Sequence, residues 1–211
     1  MCFIAASYRK GRRFPMIIPS RVECLALMSR MEMPVHIRKH SMMVAITAVF
    51  LGRMLNGNGV RLDLRLLEAG ALLHDIAKAR GLQTGENHSQ LGAKMVGELG
   101  FELLAPIVED HATLDEAKLR GPVDESLLVN YADKRVKHDR IVTISDRFED
   151  LVRRYAKTES HLRFMREKLI LYQELELRIF EHLSVTPDSR EIMGLSLNDN
   201  SYETGSEHYE H

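Results

Sequence analysis

Apolar residues along this chain recur at helical spacing, and almost nowhere alternate as a half-buried strand requires. Ser20 with Glu23 three positions on predicts a capped helix start. Val22, Leu25, Ala26, Leu27 and Met28 carry that helix until Pro34 stops it. A second helix is expected over residues 36–55, ended by Asn56-Gly57-Asn58-Gly59. The third, residues 63–79, is central: Leu66, Leu67, Ala69, Ala71, Leu72, Leu73 and Ile76 leave it almost no polar face, so it reads as buried. Residues 81–86 form a polar loop of the kind that frames a site. Asn87 or Glu86 then caps a helix over 88–99, closed by Gly100. A short helix over 102–111, interrupted or begun at Pro106, precedes a polar linker to Pro122. Asp124 caps the next helix, which runs through Val136. Residues 145–182 are helical and highly charged, split at Thr158. Past Pro187 the periodicity lapses into a polar, disordered tail. With no credible strand and no repeat, the expected class is all-α. The expected division is an arm over 1–19, a helical domain over 20–184 with a long helical C-terminal region, and a tail over 185–211.

Composition narrows this picture without redirecting it. The 211 residues, 45% hydrophobic, suffice for one core-bearing domain, and no apolar run is long enough to span a bilayer. A formal charge of −1 argues against a nucleic-acid polymer as partner, since such surfaces carry a basic excess. A small anion needs only a local positive pocket. Cys2 and Cys24 supply neither a disulfide framework nor a thiolate zinc signature, which fits a reduced, cytoplasmic protein. The first residues are a poor signal peptide, because the basic cluster follows the short apolar patch. They read as a loosely held arm, with Met16 an alternative start.

Chemistry concentrates where the central helix ends. His74 and Asp75 sit side by side after a greasy run, and such groups are costly there unless paired or holding a metal. Lys78 lies one turn beyond His74 on the same face. Four more candidates lie at the ends or inner faces of other helices: His40, His88, His111 and Asp133. Each has a plainer reading: a core histidine at His40, a surface residue at His88, a dipole-compensating His111, and an Asp133 paired with Arg135 or the backbone. His36 and His138 are candidate rim residues, and His161, His182, His208 and His211 carry no such context.

The ordered series His40, His74-Asp75, Asp133 resembles the HD superfamily of metal-dependent phosphohydrolases, with the flanking stretches IRKHSMMVA, LLHDIAK and NYADKRV matching as well. The additional histidines, in ENHSQLGAKMV and VEDHATL, look like those of members that hold two metals. The resemblance spans roughly residues 20–154 and implies an HD-type helical bundle.

The residue types carry their own argument. Imidazoles with two carboxylates and no thiolate suit one or two borderline divalent ions, Fe or Mn first and then Co, Ni or Zn. His40, His74, Asp75 and Asp133 are expected around one ion, with His88 and His111 drawing in a second and Asp75 bridging. Such ions lower the pKa of a shared water and offset phosphate charge. Lys78 alone reads equally as a solvated lysine at a helix end, and the resemblance to HD enzymes with a lysine three residues after the aspartate makes Asp75 and Lys78 the candidate catalytic residues; Lys78 and Lys137 are candidates for binding substrate, and loop 80–86 for lining the entrance. The expected function is hydrolysis of a phosphoester or phosphoanhydride in a small nucleotide-like substrate. The alternatives are a non-catalytic nucleotide-sensing or assembly module, with residues 145–180 pairing subunits into a homo-oligomer, and a diiron oxygenase.

Overall fold

The computed structural model describes residues 17–112, 114–181 and 183–198. Most of the expected N-terminal arm, with Cys2 and Met16, lies outside the described residues, as do His182, His208 and His211.

Local chemistry starts most of the helices. Helix α1 (Arg21–Arg30) opens on Ser20 in a reciprocal capping box with Glu23. Helix α2 (Val35–Gly57) follows Pro34 and is buried along most of its length, which is why its sequence is apolar nearly all round. Helix α3 (Leu64–Leu73) is capped by Asp63 and packs between α1 and α2. Helix α5 (His88–Glu98) is capped by Asn87, α8 (Glu125–Arg135) by Asp124, α9 (Ile144–Tyr155) by Thr143 and α10 (Glu159–Phe180) by Thr158.

The core is made by α2, α3 and α8, with α5 and helix α6 (Ala105–Asp110) closing one side. Met28, Met43, Leu51, Leu67, Leu72 and Leu128 are among its large, fully buried members. Cys24 belongs to this core, and burial pushes its thiol up to about 12, so it is a packed apolar group and no nucleophile. Helix α10 lies against the domain through Tyr172, Leu175 and Ile179. Among the described residues no helix is long and apolar enough to cross a membrane.

Several sequence expectations are corrected. The central helix does not run to Ala79. It ends at Leu73, residues 74–77 form a tight turn, and helix α4 (Lys78–Thr84) occupies most of the expected polar loop. Helix α7 (Glu116–Arg120) interrupts the linker before Pro122. Two short strands, β1 (Val136–Lys137) and β2 (Arg140–Ile141), pair antiparallel around a turn where His138 takes φ 58°. The first part of the expected tail is folded: helix α11 (Arg190–Met193) places Ile192 and Leu195 in the core. Arg135 explains this last contact. Its buried guanidinium meets Glu176 at 2.7 Å, the Tyr131 hydroxyl at 3.0 Å and the Pro187 carbonyl at 2.8 Å, tying α8, α10 and the C-terminal segment together.

Helix α5 approaches α6 so closely that a Cβ on Gly92 would stand 2.8 Å from Val108 Cγ1. Valine is stiff at χ1 and cannot swing aside cheaply. Gly92→Val is therefore expected to lower unfolding free energy by about 1–3 kcal/mol, the range for overpacking a well-filled interior, read by denaturant titration.

Candidate metal centre

Five helix ends and one helix face deliver the polar residues to one place. His40 faces inward from the second turn of α2, and Asp133 comes from the last turns of α8. His74 is the residue on which α3 ends, and Asp75 follows in the turn before α4. His88 begins α5, and His111 follows the end of α6. No glycine or proline marks the break after Leu73. The backbone instead tightens to three-residue hydrogen bonds, Ile76 N–H to Leu73 C=O and Lys78 N–H to Asp75 C=O, both 3.0 Å. The tightening releases Asp75 from the helix surface and turns it among the imidazoles.

Backbone carbonyls orient three of the four rings. Nδ1–H of His40 donates to His138 C=O at 2.9 Å, that of His74 to Ala71 C=O at 2.7 Å, and that of His111 to Val108 C=O at 2.6 Å. A carbonyl can only accept, so these contacts set the tautomer and leave each Nε2 lone pair aimed at the centre. There His40 Nε2 lies 2.9 Å from Asp133 Oδ1, and His74 Nε2 lies 3.4 Å from Asp75 Oδ2. Asp75 Oδ1 faces His111 Nε2 at 3.3 Å and His88 Nε2 at 3.6 Å.

Two groups of donor atoms are close enough to grasp an ion: His40, His74 and Asp75, and Asp75, His88 and His111. Asp75 belongs to both, and Asp133 adjoins the first, 3.9 Å from His74 Nε2. Three observations fit these residues to divalent cations. His74 Nε2 and Asp75 Oδ1 are buried with no hydrogen-bond partner, a condition that costs about 1–3 kcal/mol per group. The Nε2 atoms of His88 and His111 stand 3.2 Å apart, which needs a proton or cation between the two lone pairs. The donors are nitrogen and carboxylate oxygen without sulfur, a set that suits Mn, Fe, Co, Ni or Zn.

The electrostatics keep Asp75, Asp133 and His88 in their binding forms. Burial would raise Asp75, but His74, His111 and Lys78 hold its carboxyl well below the usual carboxylate range. Asp133, also raised by burial, is held low by Lys134, His40 and His74. Burial pushes the His88 imidazole down to about 4 against the opposing pull of Asp75, so its ring is neutral near pH 7.

The structure brings His40, His74, Asp75, His88, His111 and Asp133 together, with Lys78 Nζ 2.7 Å from Asp75 Oδ2. Lys137 goes elsewhere: its amino group lies 3.1 Å from Asp150 on α9. The pairing of Asp133 with Arg135 is not formed. The neighbouring Lys134 takes that place, 2.7 Å from Asp133 Oδ2 and 3.2 Å from the His111 carbonyl. Sequence reading missed Lys134, and its adjacency to Asp133 was the available signal. It also missed Asn130, whose amide donates to the Asp110 and His111 carbonyls at 2.9 Å and fixes the end of α6.

Comparison with known proteins agrees with this geometry. A family model described as HD domain matches residues 37–151. An uncharacterized protein of Methanocaldococcus jannaschii is 33% identical over 128 residues, covering 56% of this chain and 75% of the relative. No solved structure matches the chain.

Elemental analysis of metal-loaded protein should find Asp75→Ala unable to hold ions in either group, whereas His88→Ala should keep the ion of the His40 group. Acid stability gives a second check on metal-free protein. His88 takes a proton near 6.5 when unfolded but only near 4 when folded, so acidification between those values favours unfolding and the effect vanishes above them. His88→Gln should flatten that part of a stability-against-pH curve.

Proposed function

Because the chain belongs to the HD-domain family, we propose that it is a metal-dependent phosphohydrolase acting on a small, nucleotide-like phosphoester or phosphoanhydride. The observation that carries this reading is the pair of donor groups hinged on Asp75, set beside cationic side chains that a neutral substrate would not need. Residues His40, His74, Asp75 and Asp133 would hold one ion, and Asp75, His88 and His111 a second. Such ions supply Lewis acidity, making nearby water a better nucleophile and offsetting charge on phosphoryl oxygens.

The chain's own residues do the rest. Lys78 Nζ borders the cavity beside Asp75, within reach of a phosphoryl oxygen, and offsets its charge as the P–O bond breaks. Lys134 is only 8% exposed; it lines the same cavity and keeps Asp133 charged. Water oxygen bonds to phosphorus, the electron pair of the broken P–O bond leaves with the departing oxygen, and protons from water end on the two products. The positive lining also favours hydrolysis over an oxygenase acting on an uncharged substrate.

The decisive assay is a screen of nucleotides and p-nitrophenyl phosphate with Mn-, Fe-, Co- or Ni-loaded protein under anaerobic conditions. Turnover without oxygen supports the hydrolase. No turnover with any ion favours a sensing or assembly module. Lys78→Ala should lower kcat by about a hundredfold, the scale for removing one donor to a developing oxyanion, with metal content unchanged.

A further inference from the structure

Helix α9 carries a buried carboxylate that the metal centre does not use. Two cavities open over the donor cluster, one of about 260 Å³ against His88, His111 and Asp133, the other of about 230 Å³ against His40 and Asp75. Asp150 is 3% exposed and borders neither, yet four cations converge on it. Lys137 Nζ lies 3.1 Å from its Oδ1 and Arg153 Nη2 3.8 Å; Arg154 Nε and Arg147 Nη1 approach Oδ2 at 3.0 Å and 3.5 Å. Burial would raise this carboxyl, but Lys137, Arg154 and Arg147 hold it below the usual range, so it stays charged near neutral pH.

Joining α9 to β1 needs only Lys137. The three arginines stand on α9 itself, one turn from Asp150 on either side, so they join no further element. Arg147 is the informative one, because it borders both cavities. Its side chain is 14% exposed, and its Nε–H is buried with no hydrogen-bond partner among the described residues. The lysines beside it are committed: Lys78 to Asp75, Lys134 to Asp133 and the His111 carbonyl, Lys168 to the Leu114 carbonyl. A guanidinium has several N–H donors in a rigid fork, and one carboxylate at 3.5 Å leaves most of them for a ligand. An ill-satisfied, largely desolvated cation is a cost to folding that an anionic oxygen in the cavities would offset.

We infer that Arg147 donates to an anionic oxygen of the ligand where the two cavities meet, and that Asp150 is the positioning residue that aims it. Asp150 touches no ligand in this arrangement. It fixes the guanidinium from within the same helix and leaves the donor edge free. The assignment rests on the hydrolase reading for turnover, and on the geometry alone for anion binding.

Calorimetry of inorganic phosphate binding to Zn-loaded full-length protein tests this, beside p-nitrophenyl phosphate kinetics on Mn-loaded protein. Arg147→Met keeps the bulk, removes the charge and should weaken phosphate about tenfold, equivalent to 1.4 kcal/mol. Asp150→Asn should weaken it by a similar factor, and the double variant should bind no more weakly than Arg147→Met alone. A carboxylate with only a structural role would give losses that add. Arg153→Met takes a cation from the same carboxylate at a side chain bordering neither cavity, and should leave phosphate affinity near wild type. In the kinetics, Arg147→Met and Asp150→Asn should raise KM and leave kcat near wild type, the pattern of binding lost equally from ground and transition states. Far-UV circular dichroism verifies folding. If Asp150→Asn fails to fold, Asp150→Glu replaces it: the charge stays for Lys137 while the added methylene displaces Arg147, so phosphate should weaken in the wild-type background and not beside Arg147→Met. Unchanged affinity in Arg147→Met or in the Asp150 variant, or losses that add, overturns the inference. Phosphate binding as expected without hydrolysis would overturn the hydrolase reading and leave this assignment standing. Hydrolysis with phosphate affinity untouched by Arg147→Met would do the reverse.

Discussion

A single buried carboxylate governs this molecule. Asp75 is 1% exposed, yet it faces His74, His88, His111 and Lys78. An ionised carboxylate in that position is tolerable only because the helices bring positive or cation-binding partners to it from three directions. The break after α3, the close approach of α5 to α6 and the inward face of α2 all serve the same arrangement. The fold thus desolvates an acid and surrounds it with groups that keep it ionised.

Much of the scaffold is legible in the residues because its signals are local. Ser20, Asn87, Asp124 and Thr158 announce helix starts through contacts reaching only two or three positions along the chain. The candidate ligand set is legible for a different reason: histidines and acids follow one another in a fixed order within recognisable flanking text. What stayed hidden depends on distant partners or on very short segments. Neither glycine nor proline marks the turn at His74. The choice between Lys134 and Arg135 for Asp133 is decided by Glu176, Tyr131 and the Pro187 carbonyl, which claim Arg135 from the far side of α8. Strands of two residues and a helix of four are too short for periodicity to register.

The same distinction separates the floor of the site from its walls. The floor comes from α2, the α3–α4 turn, α5, α6 and α8, and its residues carry unmistakable chemistry. The walls come from α9 and α10, where Phe148, Leu151, Tyr155 and Phe164 are spaced like any amphipathic surface. Nothing in their order separates a cavity lining from a subunit contact or an intramolecular seam. Only the way α10 docks, with Tyr172 donating to Asn130 and Lys168 to the Leu114 carbonyl, turns that surface toward the histidines. Floor and wall can therefore change independently.

The carbonyl contacts of His40, His74 and His111 bear on how such a centre can vary. Two of the three anchors lie three residues upstream in the same helical turn, Ala71 for His74 and Val108 for His111. The aim of each ring is thereby inherited from main-chain phase, and neighbouring side chains can be exchanged without disturbing it. Adding or deleting one residue inside either turn would swing the ring by about 100°. Evolutionary drift through this region should accordingly proceed by replacement, with changes of length confined to the connecting segments.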